Sequence, residues 1–154
     1  MIDISILLYF IVITALPVAE LRGGIPFALL SGLDPITAFF VAVIVNSLIF
    51  FPVFFGLEFF YEKLFRRWGF VQKLVERTQK NGKPYIEKYG LLGLAVFVAI
   101  PLPMTGAWTG TALAWLLGMD WKKSFFSITA GVIVAGLIVT AISVGFLGGL
   151  KFLL

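Results

Sequence analysis

Four stretches without one charged side chain, residues 4–19, 35–57, 89–119 and 124–150, cover 97 of the 154 residues. No water-soluble core needs 31 consecutive uncharged residues, whereas a bilayer span needs about 20 apolar ones. Charged residues make up 13% and hydrophobic residues 60% of the chain, against about 25% and 45–50% in soluble domains. The expectation is a polytopic integral membrane protein of the cell membrane, built only from helices, because a helix satisfies its own backbone in lipid.

The same composition removes classes of function. Histidine and cysteine are both absent, which excludes Ser-His-Asp and Cys-His catalysis, thiolate metal sites and disulfides. Intramembrane aspartyl chemistry needs two carboxylates at depth, but Asp34 and Asp120 stand at segment ends beside turn-forming pairs. The N-terminus lacks the Lys or Arg of a signal peptide and carries Asp3. The reading is therefore not an enzyme, with no cofactor, no metal and no nucleic-acid partner.

Eight basic residues crowd into residues 61–88: Lys63, Arg66, Arg67, Lys73, Arg77, Lys80, Lys83 and Lys88. By the positive-inside rule this is the cytoplasmic connector. Leu64, Trp68, Val71 and Val75 recur at helical spacing, so the connector reads as an amphipathic interfacial helix. A binding surface for anionic lipid or a partner is the alternative.

Two of the apolar stretches have the wrong length for simple spans. As one helix, residues 89–119 would measure about 46 Å against a hydrocarbon core of about 30 Å. Their centre reads Pro101-Leu-Pro103-Met-Thr-Gly106, which breaks a helix. The first stretch behaves alike: residues 4–16 precede Pro17-Val-Ala-Glu20-Leu-Arg22-Gly23-Gly24-Ile-Pro26, and a second short piece ends at Gly32. Both read as re-entrant helical hairpins that break at mid-depth. Ala15-Leu-Pro17 matches Ala99-Ile-Pro101, Gly32-Leu-Asp34 matches Gly118-Met-Asp120, and Phe39-Phe40 matches Phe125-Phe126. In each half a hairpin is followed by one long span, giving repeat one (1–60), connector (61–88) and repeat two (89–154) in a single membrane domain. With the connector inside, both termini fall outside and Lys122-Lys123 inside, so the halves are inverted repeats, a plan common to secondary transporters.

The two tip strings, with Trp108-Thr-Gly110 completing the second, resemble the putative small multidrug export protein family over nearly the whole chain. That family is similar in turn to the DedA/VTT membrane proteins, whose paired re-entrant hairpins occur in lipid-phosphate transporters and scramblases. DedA proteins usually carry an arginine after the second hairpin's proline, which this chain lacks. The resemblance implies a transporter.

The candidate substrate or ion site is Glu20, Arg22, Gly23, Gly24, Pro26, Pro101, Pro103, Thr105, Gly106 and Trp108. Glu20 and Arg22 are opposite charges at a predicted midplane, where each costs about 2.5–3.5 kcal/mol to insert. At i, i+2 they share one side only of an extended segment, and Pro17 with Gly23-Gly24 predicts an unwound tip; the alternative is an ion pair that closes the hairpin. Half-helices beginning near Ile25-Pro26 and at Ala107, with Thr105 as N-cap, would aim two positive ends at one cavity. Together with Arg22 these favour an anionic, lipid-phosphate-like or amphipathic substrate, with Glu20 as proton carrier. A gradient-independent lipid scramblase and an exporter of cationic drugs are the rivals. Asn46 is expected to hydrogen-bond across helices, Gly131, Ala135, Gly145 and Gly149 to form a close-packed or homodimer seam, and Trp68, Trp115 and Trp121 to lie in an interfacial belt.

Overall fold

A computed structural model describes residues 4–65, 69–102 and 105–153. Arg66, Arg67, Trp68 and Pro103 of the sequence reading lie outside them, as do the side chains of Leu64 and Val71. Every element is helical: α1 (Ile4–Ala15), α2 (Glu20–Leu30), α3 (Pro35–Phe60), a π-helical turn (Tyr61–Phe65), α4 (Gly69–Ala99), α5 (Ala107–Leu116) and α6 (Trp121–Leu153). Among the described residues, two helical stretches are long and apolar enough to cross a membrane, Pro35–Lys63 and Trp121–Gly149. Arms α1, α2 and α5 have 12, 11 and 10 residues, or about 15–18 Å each, half a bilayer core.

Phe10, Leu21, Ile25, Phe50 and Ile128 form an apolar core, but the outer faces differ from those of a soluble bundle. Ile36, Phe40, Ile44 and Leu48 form one exposed stripe along α3, while Ala38, Ala42 and Asn46 of the same helix are buried. Phe126, Leu137, Ile142 and Phe146 of α6 are exposed, while Ser124, Ser127 and Ala135 are inside. Large apolar residues can cover the outer faces because lipid solvates them as well as protein does. Small and hydroxyl residues face inward because they let backbones approach.

The matched tripeptides adopt one local geometry twice. Gly32 and Gly118 take positive φ (87° and 68°) one residue past the helical caps of α2 and α5. Leu33 N–H reaches back to the Ala28 carbonyl and Met119 N–H to that of Ala114, the paired closure that glycine permits. The aspartates then start the long helices. Asp34 accepts from Ile36 N–H and Thr37 N–H at 2.9 and 3.1 Å, and Asp120 from Lys123 N–H at 3.0 Å. α1 and α4 end at the matched Ala15 and Ala99.

A further correspondence, not visible as a sequence match, lies inside the hairpins. A Cβ on Gly24 would overlap the Thr14 hydroxyl, and one on Gly110 would stand 2.5 Å from Val98 Cγ2. Each second arm thus crosses its first arm on a glycine, the fifth residue of α2 and the fourth of α5.

α4 is two helices, the connector's and the first arm of the second hairpin, which meet at a kink at Gly90 (φ 42°, ψ −130°), a backbone conformation that is glycine's territory. α6 packs on that arm through Gly131, whose Cβ would come within 2.8 Å of Val98 Cβ, and Ala135 is buried. Gly145 and Gly149 meet nothing within 4 Å, so that half of the small-residue stripe has no packing role among the described residues.

Candidate functional site

Sequence reasoning placed an unwound tip across residues 17–26, and the structure corrects it. The chain leaves α1 at Ala15, turns through residues 16–19 and is helical again from Glu20. Pro26 sits inside α2, where it withholds an N–H from the Arg22 carbonyl without breaking the helix. Gly23 and Gly24 are helical; Gly24 is small because Thr14 and Phe10 of α1 press against it. The break depends on the turn at Pro17, and the glycines serve arm crossing. The second tip opens as expected, with Pro101 half-buried in the non-helical run after Ala99 and α5 starting at Ala107.

Glu20 and Arg22 do meet, although not on extended backbone. Glu20 begins α2 with φ 46°, which swings its side chain off the helical position and onto its neighbour two residues on. Arg22 Nη1 donates to Glu20 Oε2 at 2.6 Å, and the side chains are 15% and 4% exposed respectively. Positive φ in a residue with a Cβ is strained by roughly 1–3 kcal/mol and persists only where surroundings enforce it. Here the ion pair and the second tip enforce it.

The two tips are stitched together by three side chains. Trp108 N–H, in the first turn of α5, donates to Glu20 Oε1 at 3.2 Å. Arg22 Nη2 donates to the Ile100 carbonyl at 3.0 Å and to Thr105 Oγ1 at 3.2 Å. Trp108 Nε1 donates to the Ala15 carbonyl, the last of α1, at 3.1 Å. Thr105 is therefore not the N-cap of α5. That position is Gly106, which has no side chain to cap with, and the Glu20 carboxylate takes the role from the other hairpin. Gly106 has to be glycine for this, because a Cβ there would fall onto the Glu20 carboxylate and 2.5 Å from Arg22 Nη1. The Glu20 carboxylate thus lies on the positive end of α5 and beside a guanidinium, both of which stabilise its charge.

Asn46 fixes the level of this assembly. Its Nδ2 donates to the Thr14 carbonyl at 3.4 Å and to Ala42 at 3.2 Å, which sets the end of α1 against the middle of α3. The cross-helix bond expected of Asn46 is present. Sequence reasoning missed the polar group around it: Thr14 Oγ1, Asn46 Oδ1 and Ser47 Oγ are buried without partners among the described residues, as is Arg22 Nε. The adjacent polar pair Asn46-Ser47 in an otherwise apolar span was the hint that the sequence carried. Trp115 and Trp121 pack on Tyr61 and Phe55 at one end of the bundle, away from the tip that Trp108 lines.

Comparison with protein families finds one model, described as Putative small multi-drug export protein, that matches residues 20–138. The match opens on Glu20, just past the turn of the first tip, and takes in the second tip, all of α3 and α6 as far as residue 138. Among curated proteins and among solved structures, no match is found.

Proposed function

The chain belongs to the putative small multi-drug export protein family, and we propose that it is a secondary transporter whose central latch is the Glu20 carboxylate on the α5 N-terminus. One observation carries this reading: a charged group of the first hairpin, 4% exposed, is held by Arg22 and by the Trp108 N–H of the second.

Charge arithmetic sets the mechanism. The α5 N-terminus contributes roughly half a positive charge and Arg22 a full one, and ionised Glu20 cancels about one unit. Protonation of Glu20 releases its hold on Trp108 N–H and Arg22 and leaves the tip near +1.5. An anionic head, carboxylate or phosphate, then takes the place that Glu20 vacates. Loss of the proton lets Glu20 return and expel the anion. Proton and anion thus exchange for one protein carboxylate in one seat, a coupling that needs no further charged residue. The substrate class is a small or amphipathic anion of the lipid-phosphate kind.

The re-entrant, inverted-repeat reading supports the same mechanism. Arms about half a bilayer long, the repeated Gly-x-Asp closures and the level of Asn46 all suit two hairpins whose tips meet at mid-depth. The basic connector is assigned to the cytoplasmic side, with both termini outside.

Flux in liposomes tests the proposal. Purified protein should move an amphipathic phosphate at a rate that responds to an imposed pH gradient. Glu20→Gln, which cannot ionise, should bind substrate yet lose the response to pH, and Arg22→Ala should lose binding. Full gradient-driven flux in both variants would reduce the ion pair to a structural clasp. Movement equal in both directions, with or without a gradient, would make the protein a scramblase.

A further inference from the structure

A cavity of about 350 Å³ lies where the end of α3, the π-helical turn, α4 and the end of α5 meet. It is within the size range of small-molecule sites, about 300–1,000 Å³. Tyr61 and Trp115 form one wall, edge to face with ring centroids 5.4 Å apart, and Phe54 lies buried beside them. Glu58 and Glu62, one helical turn apart, supply its charge. Among the described residues no lysine or arginine lines it. The adjacent Lys63 directs its ammonium over the Phe59 ring, 4.4 Å from the centroid.

Two exposed carboxylates would by themselves be a solvated helix end. The aromatic wall changes the chemistry. Ring faces carry negative potential and attract a cation most strongly when it is weakly hydrated, as an alkylated ammonium is. A hard metal ion wants six or more oxygen ligands, which two glutamates on an aromatic wall do not furnish. An anion would face two carboxylates. The backbone adds its own mark: the five-residue π-helical turn that carries Tyr61 and Glu62 into the cavity is a rare conformation concentrated at functional sites. Trp115 and Trp121, with Tyr61, mark this end as interfacial, so a ligand here would keep its tail in lipid and its head among these groups.

We propose that this cavity binds the ammonium group of an amphiphile at the membrane interface. Two sources share that chemistry, the headgroup of a zwitterionic lipid and a soluble or drug-like organic cation. The site is separate from the Glu20–Arg22 latch, and neither reading depends on the other.

The experiment is equilibrium dialysis of radiolabelled tetraethylammonium against the whole protein in phosphatidylglycerol nanodiscs, with empty nanodiscs subtracted. Saturable binding is expected. The double variant Glu58→Gln/Glu62→Gln should weaken it by at least about tenfold, and Trp115→Leu should weaken it as well. Glu20→Gln should leave it unchanged, which separates this site from the latch. Repeating the titration in phosphatidylcholine nanodiscs assigns the source: binding lost there identifies the lipid headgroup as occupant, and binding retained identifies a soluble cation. The glutamine variants alter only exposed carboxylates, and unchanged melting and elution show that they remain folded. Absence of saturable binding in phosphatidylglycerol, or undiminished binding by the folded double variant, overturns the proposal.

Discussion

Gly106→Ala is the sharpest perturbation the structure offers, because it adds one methyl group to the point where the two hairpins meet. That methyl would land on the Glu20 carboxylate, and in a tip with Glu20 4% and Arg22 15% exposed the carboxylate has to leave its place. Leaving removes the bond from Trp108 N–H and the 2.6 Å pair with Arg22. Breaking a buried ion pair costs about 3–5 kcal/mol, which for a chain of this size lowers the melting temperature by roughly 6–20 °C. Thermal unfolding in nanodiscs reads the effect. Gly145→Ala is the control, since its Cβ meets nothing within 4 Å and helix propensity alone should make it neutral or better by up to about 1 kcal/mol. The decisive step is a double-mutant cycle with Glu20→Ala. If the damage comes from colliding with that carboxylate, Gly106→Ala adds little once the carboxylate is gone, and the coupling energy is about 3 kcal/mol. Additive losses would show that Gly106 matters for another reason, such as its own extended backbone, and would remove the carboxylate from the α5 N-terminus.

Three further outcomes follow from particular positions. Gly90→Ala finds open space but keeps a backbone that L-residues resist; it should cost about 1–3 kcal/mol in thermal unfolding, and no loss would mean that α4 runs straight there. Asp34 is held below the ordinary aspartate value of 3.8 by the Thr37 hydroxyl first and then by the Thr37 and Ile36 N–H groups. Its ionic contribution should be complete above that value and fade as pH falls through the lower folded one, so wild type and Asp34→Asn should converge in acid melts. Cysteines introduced singly at Ser5 and Gly149 of this cysteine-free chain should both react with an impermeant thiol reagent in intact cells. Labelling at Gly149 only after lysis would turn the hairpins into ordinary spans.

Length and punctuation made the architecture legible. The prolines after Ala15 and Ala99 end the first arms, and the Gly-x-Asp tripeptides end the second arms and start the long helices. Each acts through local backbone chemistry, which a sequence displays directly. The tip itself was only half legible. Glu20, Arg22, Gly106 and Trp108 could be nominated because charges and breaks in an apolar stretch are costly, but their pairing depends on contacts across about 80 residues of chain. Gly23-Gly24 misled for a related reason. In water, paired glycines signal loose backbone; in a membrane hairpin they mark where another helix lies close, and only the position of Thr14 distinguishes the two.

That distinction bears on how the latch is supported. A helix start with an empty cap position is ordinarily satisfied by the residue before it, and Gly106 gives up that local solution. The donor at Trp108 is therefore available only to a group from elsewhere, and Glu20 reaches it by adopting a positive φ that is unfavourable alone. Two local penalties, an uncapped helix and a strained glutamate, cancel only when the hairpins touch. A tip that capped itself with Ser or Asp at position 106 would be more stable in isolation and indifferent to its partner. Because each hairpin lacks what the other supplies, an agent that displaced this one carboxylate, as the proposed proton and anion do, would act on the contact between the two halves of the molecule.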